Sequence, residues 1–397
     1  MERRDFIKNS LLASGMFFVP SFLKPFQYLS DGNGYKNLVV IQLSGGNDGL
    51  NTIVPYSNDL YYQKRPQLAL NKSDVIPLND ALGFHPSMKN LHEIFDNGWM
   101  SIMNSVGYPN PDRSHFRSMD IWHSASDSNE YLSSGWIGRY LDSDCTDCKN
   151  AFNAIEVDDT LSLAMKGEAR NGLAVKNAQQ LFQETRDPFF QNLAAHCKDE
   201  NLNEDNLGYL YKTVLETNSS AQYIFETSKT YSNACVYPNS AFAKDLKNIS
   251  TFINSGLKTR VYYVSLGGFD THVDQKGRQE KLLRDYSEGI SCFLKDLKNT
   301  GKLDDTLVMT FSEFGRRVEQ NASNGTDHGT ANNVFLMGGK ISKKGFYNAA
   351  PDLNDLSMGD LNFQIDFRSI YATILDKWLG VNDVSILPHN FQKLDFV

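Results

Sequence analysis

Short apolar runs that end in glycines or in a polar cluster recur along this sequence, and they constrain its fold more than any other feature. Such runs, bounded by turn residues, are typical of buried strands. Stretches with helical spacing of apolar residues separate several of them. A repeated order of strand, polar loop and helix predicts an α/β fold with a mostly parallel, doubly wound sheet and helices on both faces. The predicted strands are Leu38–Leu43, Trp99–Val106, Thr259–Ser265, Thr306–Phe311 and Asn333–Met337.

The chain of 397 residues is long enough for one large α/β domain with a sizeable core. We expect a signal segment and linker at residues 1–30 and a single domain at 36–397. Between about 177 and 255 the pattern is mostly that of polar helices. That stretch is predicted to be a helical insertion in the α/β domain.

The formal net charge of −8 argues against nucleic acid as the main partner, because phosphate binding needs a basic footprint. A local basic pocket for a small anion is compatible with this charge. We therefore expect no nucleic acid as a partner.

The amino-terminal segment carries an export pattern. Arg3 and Arg4 precede a short apolar stretch, Leu11–Leu23, which Pro20 interrupts. This stretch is too short and too broken for an ordinary spanning helix, and twin arginines before it predict export by the Tat translocation machinery. The protein would then be periplasmic or extracellular, with a membrane tether if the signal is uncleaved. The alternative is a basic patch on a surface helix.

The five cysteines include a CTDC pair, Cys145 and Cys148. A local disulfide or free thiols are favoured over zinc binding or redox catalysis, because a closed zinc site needs four ligands and no second CxxC exists. The odd number leaves at least one thiol unpaired.

Four polar clusters follow predicted strands: residues 45–49, 113–117, 267–272 and 312–330. In open α/β sheets ligands bind outside the carboxyl ends of the strands, so these clusters are expected to converge. Their carboxylates and imidazoles suit one or two divalent cations, Zn²⁺, Mn²⁺, Mg²⁺ or Ca²⁺. Their arginines suit a phosphate or sulfate group. The predicted metal ligands are Asp48, Asp270, His272, Glu313, Asp327 and His328.

Long motifs in these clusters resemble an exported bacterial family known only as domain of unknown function 1501. They include LVVIQLSGGNDGLNTIVPY, PDRSHFRSMDIWHS, GGFDTHVDQ and TFSEFGRRVEQNASNGTDHGTANNVFLMGG. That family is placed in turn with the alkaline phosphatase and sulfatase superfamily. The resemblance implies an alkaline-phosphatase-like fold and an exported, metal-dependent hydrolase of phosphate or sulfate esters.

The superfamily pattern also suggests residue roles. Ser114 stands at the place of the nucleophile, with Ser118 as a second choice. Asp48, Asp270, His272 and His328 resemble metal ligands, whereas Phe314 stands where the superfamily has a ligating histidine. We expect Ser114, His115 and Arg117 to be catalytic and Arg113 and Arg316 to bind substrate.

Simpler interpretations stay open. Asp48 lies in an Asn-Asp-Gly stretch that is turn chemistry in its own right, and Ser114 could be only a helix N-cap. His115 could be a ligand or a base. Because phenylalanine cannot bind a metal, the alternative function is a non-catalytic, metal-stabilised module that binds an acidic polymer or a partner protein.

Overall fold

The computed structural model describes residues 35–143, 151–196 and 206–397. Lys36–Val397 form one compact unit. The twin arginines and the Cys145–Cys148 pair lie outside the described residues, so both predictions stay predictions. No helix in the described ranges is long and apolar enough to cross a membrane.

A nine-stranded sheet forms the centre of the described chain, in the order β8-β2-β7-β6-β1-β5-β3-β4, with β9 also paired to β2. All its pairings are parallel except the two that β7 makes, with β2 and β6. The predicted mostly parallel α/β fold is confirmed. The strands are β1 Asn37–Ser44, β2 Met100–Gly107, β3 Ala154–Glu156, β4 Leu173–Ala174, β5 Val261–Gly267, β6 Thr306–Phe311, β7 Asn332–Met337, β8 Gly345–Phe346 and β9 Ile365–Asp366.

Helices cover the sheet and fill the segment between β4 and β5. The α-helices are α1 Gly49–Thr52, α2 Asp59–Lys64, α3 His92–Asp96, α4 His115–Ser124, α5 Trp136–Asp142, α6 Ala178–Glu184, α7 Pro188–His196, α8 Asn206–Ser228, α9 Ala241–Asn254, α10 Gln275–Asn299 and α11 Phe367–Thr373. Shorter pieces are the 3₁₀ turns Pro86–Leu91, Ala151–Asn153, Leu163–Met165, Leu303–Asp305 and Asp383–Ser385, the π turn Ile374–Trp378, and the small strands Ile53–Val54, Ile76–Pro77, Gly83–Phe84, Leu356–Ser357 and Asp360–Leu361.

Both faces of the sheet are buried, which explains why its strands read as continuous apolar runs. Along β1, Leu38 and Val40 enter one apolar cluster, which includes residues of α4, α5 and α11. Val39 and Ile41 point the other way, into a cluster with residues of α9 and α10. The sheet is therefore rigidly enclosed, and only its edges and the loops at the strand ends can carry a site.

A disulfide joins Cys235, in the segment before α9, to Cys292 in α10. The two residues are 57 positions apart, and their Cα atoms are 5.6 Å apart. The sequence analysis did not predict this pairing, because spacing alone gives no connectivity. It ties the end of the helical segment to a helix of the core.

Replacing both Cys235 and Cys292 by serine is expected to lower the free energy of unfolding by roughly 4 kcal/mol, because a loop of this length is then open in the unfolded chain. Denaturant titration measures the change. Either single serine variant should lose nearly as much as the double variant, since each breaks the same bond. Equal stability of the wild type and the double variant would contradict the disulfide.

Glu156 makes the stability of the folded protein depend on pH. Its side chain is buried at the end of β3 and accepts hydrogen bonds from the Ser162 backbone N–H (2.7 Å) and hydroxyl (3.0 Å). Burial raises the pKa of Glu156 to about 7, and the bonds from Ser162 only partly oppose this. Because this carboxyl binds its proton more tightly when folded, its contribution to stability falls as the pH rises from about 4.5 through 7.

Glu156→Gln is expected to raise the free energy of unfolding by up to about 3 kcal/mol above pH 7 and to change it little below pH 4.5. Denaturant titrations at pH 4.5 and pH 8 measure this difference. Glu168→Gln is the matched control, since Glu168 is exposed. Similar effects of the two variants at pH 8 would argue against a raised pKa at Glu156.

Candidate metal centre

Loops that follow β1, β2, β5 and β6 meet at one edge of the sheet, together with the segment that leads into β7. The first four strands run in the same direction, so their carboxyl ends share this edge. Because β7 is antiparallel, its amino end lies there too. Residues from all four predicted polar clusters are thus brought to the same edge.

Three histidines surround the carboxylate of Asp270. The Nε2 atoms of His115, His272 and His328 lie 3.4, 3.1 and 3.2 Å from Asp270 Oδ1. The Nε2 atoms of His272 and His328 are only 2.9 Å apart. Four potential ligand atoms from three separate loops thus point at one small volume.

The opposite ring nitrogen of each histidine faces an acceptor. His115 Nδ1 lies 2.9 Å from Glu313 Oε1, and His272 Nδ1 lies 3.3 Å from Asp327 Oδ1. His328 Nδ1 lies 2.7 Å from the backbone carbonyl of Arg113. A carbonyl or an ionised carboxylate can only accept, so each Nδ1 carries the hydrogen and, in the neutral imidazole, each Nε2 presents a lone pair.

Lone pairs that face one another at 2.9 Å, beside a carboxylate oxygen, repel unless a proton or a metal cation lies between them. Metal-binding histidines characteristically donate their second N–H to a carboxylate or a backbone carbonyl, as all three do here. His115 Nε2 is also buried without a hydrogen-bond partner among the described residues. These observations point to a cation as the missing partner.

The separations also fit a metal. A tetrahedral ion with bonds of about 2.0–2.1 Å has ligand atoms about 3.3 Å apart, close to the 2.9–3.4 Å between Asp270 Oδ1 and each Nε2 atom and between the Nε2 atoms of His272 and His328. One ligand atom from each of His115, Asp270 and His328 lies within 4.8 Å of the other two. Imidazole and carboxylate donors together suit Zn²⁺ or a similar divalent ion.

Two glycines after β1 allow the loops to approach so closely. Gly45 has a φ of +116°, and a Cβ there would lie 2.4 Å from the Asp270 backbone nitrogen. A Cβ at Gly46 would lie 2.2 Å from the Phe314 ring. The Gly45 N–H also donates to Glu313 Oε1 (2.8 Å), the oxygen that holds His115.

Phe314 forms a wall of the cluster. Its buried ring lies 4.8 Å from the His115 ring and 4.7 Å from the His328 ring, measured between centroids. Phenylalanine offers no ligand, but in this position it restricts the planes of two imidazoles. Phe314, which stands where the superfamily pattern has a ligating histidine, therefore packs against two of the imidazoles but offers no ligand atom itself.

The segment between β6 and β7 folds back on itself like a hairpin. The Gly315 N–H donates to the Thr330 carbonyl (2.8 Å), and the Arg317 N–H donates to the Asp327 carbonyl (3.0 Å). Asn321 Nδ2 then bridges Asp327 Oδ1 (3.1 Å) and the His272 carbonyl (2.9 Å). These bonds fix Asp327 behind His272.

Neighbouring charges shift the pKa values in the cluster. Partial burial alone would raise the pKa of Asp270, but the hydrogen bond and positive charge of Arg316, with the neighbouring histidines, lower it to about 2. The hydrogen bond to Glu313 raises the pKa of His115, whereas burial lowers that of His328. Asp270 is therefore an anion at any physiological pH and can bind a cation.

Several predicted site residues have other surroundings. Glu313 and Asp327 face the Nδ1 atoms and so stand behind the imidazoles instead of among the ligand atoms. Asp48 has other partners: its Oδ2 accepts from Arg65 Nη1 (2.6 Å) and from Gln275 Nε2. Nothing in the sequence around Arg65 indicated this partner, because the pair is formed only by folding.

Two predicted arginines are used by the protein itself. The Arg316 side chain is fully buried and donates to the carbonyls of Gly45, Gly46, Thr326 and Phe269 and, at 2.8 Å, to Asp270 Oδ1. The Arg117 guanidinium donates to carbonyls of residues 127, 128 and 130 and lies over the Tyr131 ring. Both guanidinium groups are occupied by contacts within the protein, and the roles predicted for them, catalysis for Arg117 and substrate binding for Arg316, stay predictions.

Ser114 and Arg113 lie at the accessible side. Ser114 is exposed at the N-cap of α4, where its hydroxyl makes no capping bond and its N–H donates to Asp112 Oδ1 (2.6 Å). The partly exposed Arg113 guanidinium pairs with the buried Asp360, to which Arg317 also donates. Arg113 and Ser114 lie next to the histidine cluster because His115 follows them directly in the sequence.

Sequence comparison places the chain in a family. Residues 35–390 match the family described as Protein of unknown function (DUF1501), and the chain belongs to that family. The resemblance seen in the sequence motifs is thereby confirmed. Comparison with curated proteins gives no match.

The chain is distantly similar to several solved structures. The PsFucS1 sulfatase from Pseudoalteromonas sp. is 12% identical with a TM-score of 0.40, over 91% of this chain and 71% of that one. The lipoteichoic acid synthase LtaP from Listeria monocytogenes is 10% identical with a TM-score of 0.37, over 79% and 68%. A protein in the alkaline phosphatase superfamily from Vibrio parahaemolyticus is 10% identical with a TM-score of 0.35, over 80% and 64%.

Asp327→Asn is expected to weaken divalent-metal binding about 10- to 100-fold, because the amide holds the His272 ring less firmly than a carboxylate does. Zn²⁺ titration of the metal-free protein, followed by calorimetry, measures the change. Asp327 is exposed, so the fold should be retained. His92→Ala, which removes a surface histidine paired with Asp96, is the control and should leave the affinity unchanged. Equal affinities of all three proteins would contradict the site.

Proposed function

We propose that this protein is a metal-dependent hydrolase of phosphate or sulfate esters. The observation that carries the proposal is the common direction of three imidazole Nε2 atoms toward Asp270 Oδ1, with each Nδ1 held by an acceptor. Such a set would bind a divalent ion, and because His272 and Asp270 are 40% and 49% exposed, a substrate oxygen would be able to join the four side chains as a fifth ligand.

Four side chains would hold the ion: His115, Asp270, His272 and His328. A divalent cation there would supply Lewis-acid polarisation of an ester oxygen. Glu313 and the Arg113 carbonyl keep two of the ring planes in place. Arg316 fixes the Asp270 carboxylate and keeps it ionised.

Ser114 is the proposed nucleophile. It precedes the proposed ligand His115 and occupies the N-cap position of a ten-residue helix, so backbone N–H groups of the first turn and the helix dipole favour negative charge beside it. In the proposed reaction Ser114 Oγ bonds to phosphorus or sulfur, and the ester alcohol leaves with the serine proton. Water then hydrolyses the serine ester and restores the hydroxyl. The Arg113 guanidinium would bind the anionic oxygens of the substrate.

The proposed location of this activity is outside the cytoplasm, after Tat export. The support is the pair Arg3 and Arg4 ahead of a short apolar stretch. A small anionic ester or an acidic polymer is the substrate that the partly exposed guanidinium of Arg113 favours.

A second candidate is a metal-stabilised binding module without turnover. Phe314 favours it, because this ring takes the position of a ligand in the superfamily pattern and packs on two of the imidazoles. Such a module would bind its anionic partner and leave the ester intact.

Ser114→Ala is expected to lower kcat for p-nitrophenyl phosphate or p-nitrophenyl sulfate roughly 1000-fold while metal binding is kept, because only the nucleophile is lost. Steady-state kinetics on the Zn²⁺- and Mn²⁺-loaded proteins measure this. Ser118→Ala is the control: the Ser118 hydroxyl is buried and donates to the Asp112 carbonyl (2.8 Å), so this variant should lose stability but retain most of kcat. Metal binding without turnover of either ester in the wild type would favour the second candidate.

A further inference from the structure

We infer that the centre holds one metal ion per chain and that the guanidinium of Arg65 replaces a second cation on Asp48. This inference rests on the proposed metal centre and decides between the one and two ions that the ligand types alone allow. It also gives Asp48, which the sequence motifs present as a ligand, a different partner.

The Asp48–Arg65 pair is fully enclosed. The Asp48 and Arg65 side chains are 1% and 0% exposed, and Arg65 Nη1 lies 2.6 Å from Asp48 Oδ2. Each nitrogen of the guanidinium also donates a hydrogen bond to another acceptor. Nε donates to the Val318 carbonyl (2.8 Å), Nη2 to the Arg317 carbonyl (2.8 Å) and Nη1 also to Asn51 Oδ1 (2.9 Å). The charge on Arg65 is therefore held permanently against Asp48.

Donors surround the Asp48 carboxylate, whereas a metal would need acceptors. Gln275 Nε2 donates to the same Oδ2 atom, and Gln279 Nε2 donates to the Asp48 carbonyl (3.0 Å). Arg65 and Gln275 both donate to Oδ2, whereas Asp48 Oδ1 has no hydrogen-bond partner among the described residues, so a second cation would have to bind Oδ1 alone, on the carboxyl group that Arg65 already holds. A dication there would share one carboxyl group with a guanidinium at low solvent exposure, where like charges repel strongly.

No other cluster in the described ranges offers ligands for a second ion. Within the described ranges, the one group of three or more acidic, histidine or cysteine side chains whose ligand atoms all lie within 4.8 Å of one another is His115, Asp270 and His328, which His272 Nε2 adjoins at 2.9–3.1 Å. Paired metals lie about 3.5–4 Å apart and share bridging ligands. Such a bridge would have to be Asp270.

One carboxylate oxygen of Asp270 already has several partners. Its Oδ1 atom faces three Nε2 atoms and accepts from Arg316 Nη2 at 2.8 Å. A second ion would therefore have to bind through the other oxygen, Oδ2, and the described residues offer no further group of three ligands to join it.

The test is the stoichiometry of Zn²⁺ binding to the full chain after chelator treatment, by calorimetry and by elemental analysis after dialysis. One equivalent per chain is expected. Two equivalents would overturn this inference while leaving the proposed metal centre intact. No bound Zn²⁺ would overturn both the inference and the proposed centre.

A double variant tests the role of the Asp48–Arg65 pair directly. Asp48→Asn combined with Arg65→Gln removes both charges together, so that no unpaired buried charge is created. This protein is expected to bind one equivalent of Zn²⁺ with unchanged affinity, and His328→Ala should bind none. A lower stoichiometry or at least a tenfold weaker binding in the double variant would make Asp48 a ligand and overturn the inference. The measurement on the wild type decides the question if the double variant does not fold.

Discussion

Repulsion among the lone pairs of three imidazoles and one carboxylate oxygen is the constraint on which the rest of the site depends. His115, His272 and His328 come from separate loops, and their Nε2 atoms approach Asp270 Oδ1 to 3.1–3.4 Å. Holding such groups together without a cation costs free energy, which the fold must offset elsewhere. The acceptors behind each ring and the arginine beside Asp270 do this, and they leave the set ready for a positive ion.

Close backbone approach makes this convergence feasible. A side chain at Gly45 would collide with the backbone at Asp270, and one at Gly46 would collide with the Phe314 ring. The Gly45 N–H in turn holds the carboxylate that orients His115. A sheet that is buried on both faces supplies the rigid base, because its strand ends cannot shift without disturbing two apolar clusters.

Two buried guanidinium groups are paired with carboxylates of the protein itself. Arg316 stabilises Asp270, and Arg65 stabilises Asp48, with both side chains wholly enclosed. The partly exposed Arg113 is left to meet an anionic ligand. A buried arginine with carbonyl acceptors on every side is a structural cation, and only its surroundings distinguish it from a substrate-binding one.

The sequence by itself determined the sheet and the place of the site. Apolar runs ending in glycine predicted β1, β2, β5, β6 and β7 to within about two residues, because a strand buried on both faces leaves a continuous apolar signal. Polar residues after those strands located the edge where Asp270, His272 and His328 meet. Only the tertiary structure decided which atoms face the centre. Whether Glu313 lies beside Nε2 or Nδ1 of His115, and whether Asp48 meets a metal or Arg65, depends on contacts between residues far apart in the chain, and these have no local signature in the sequence.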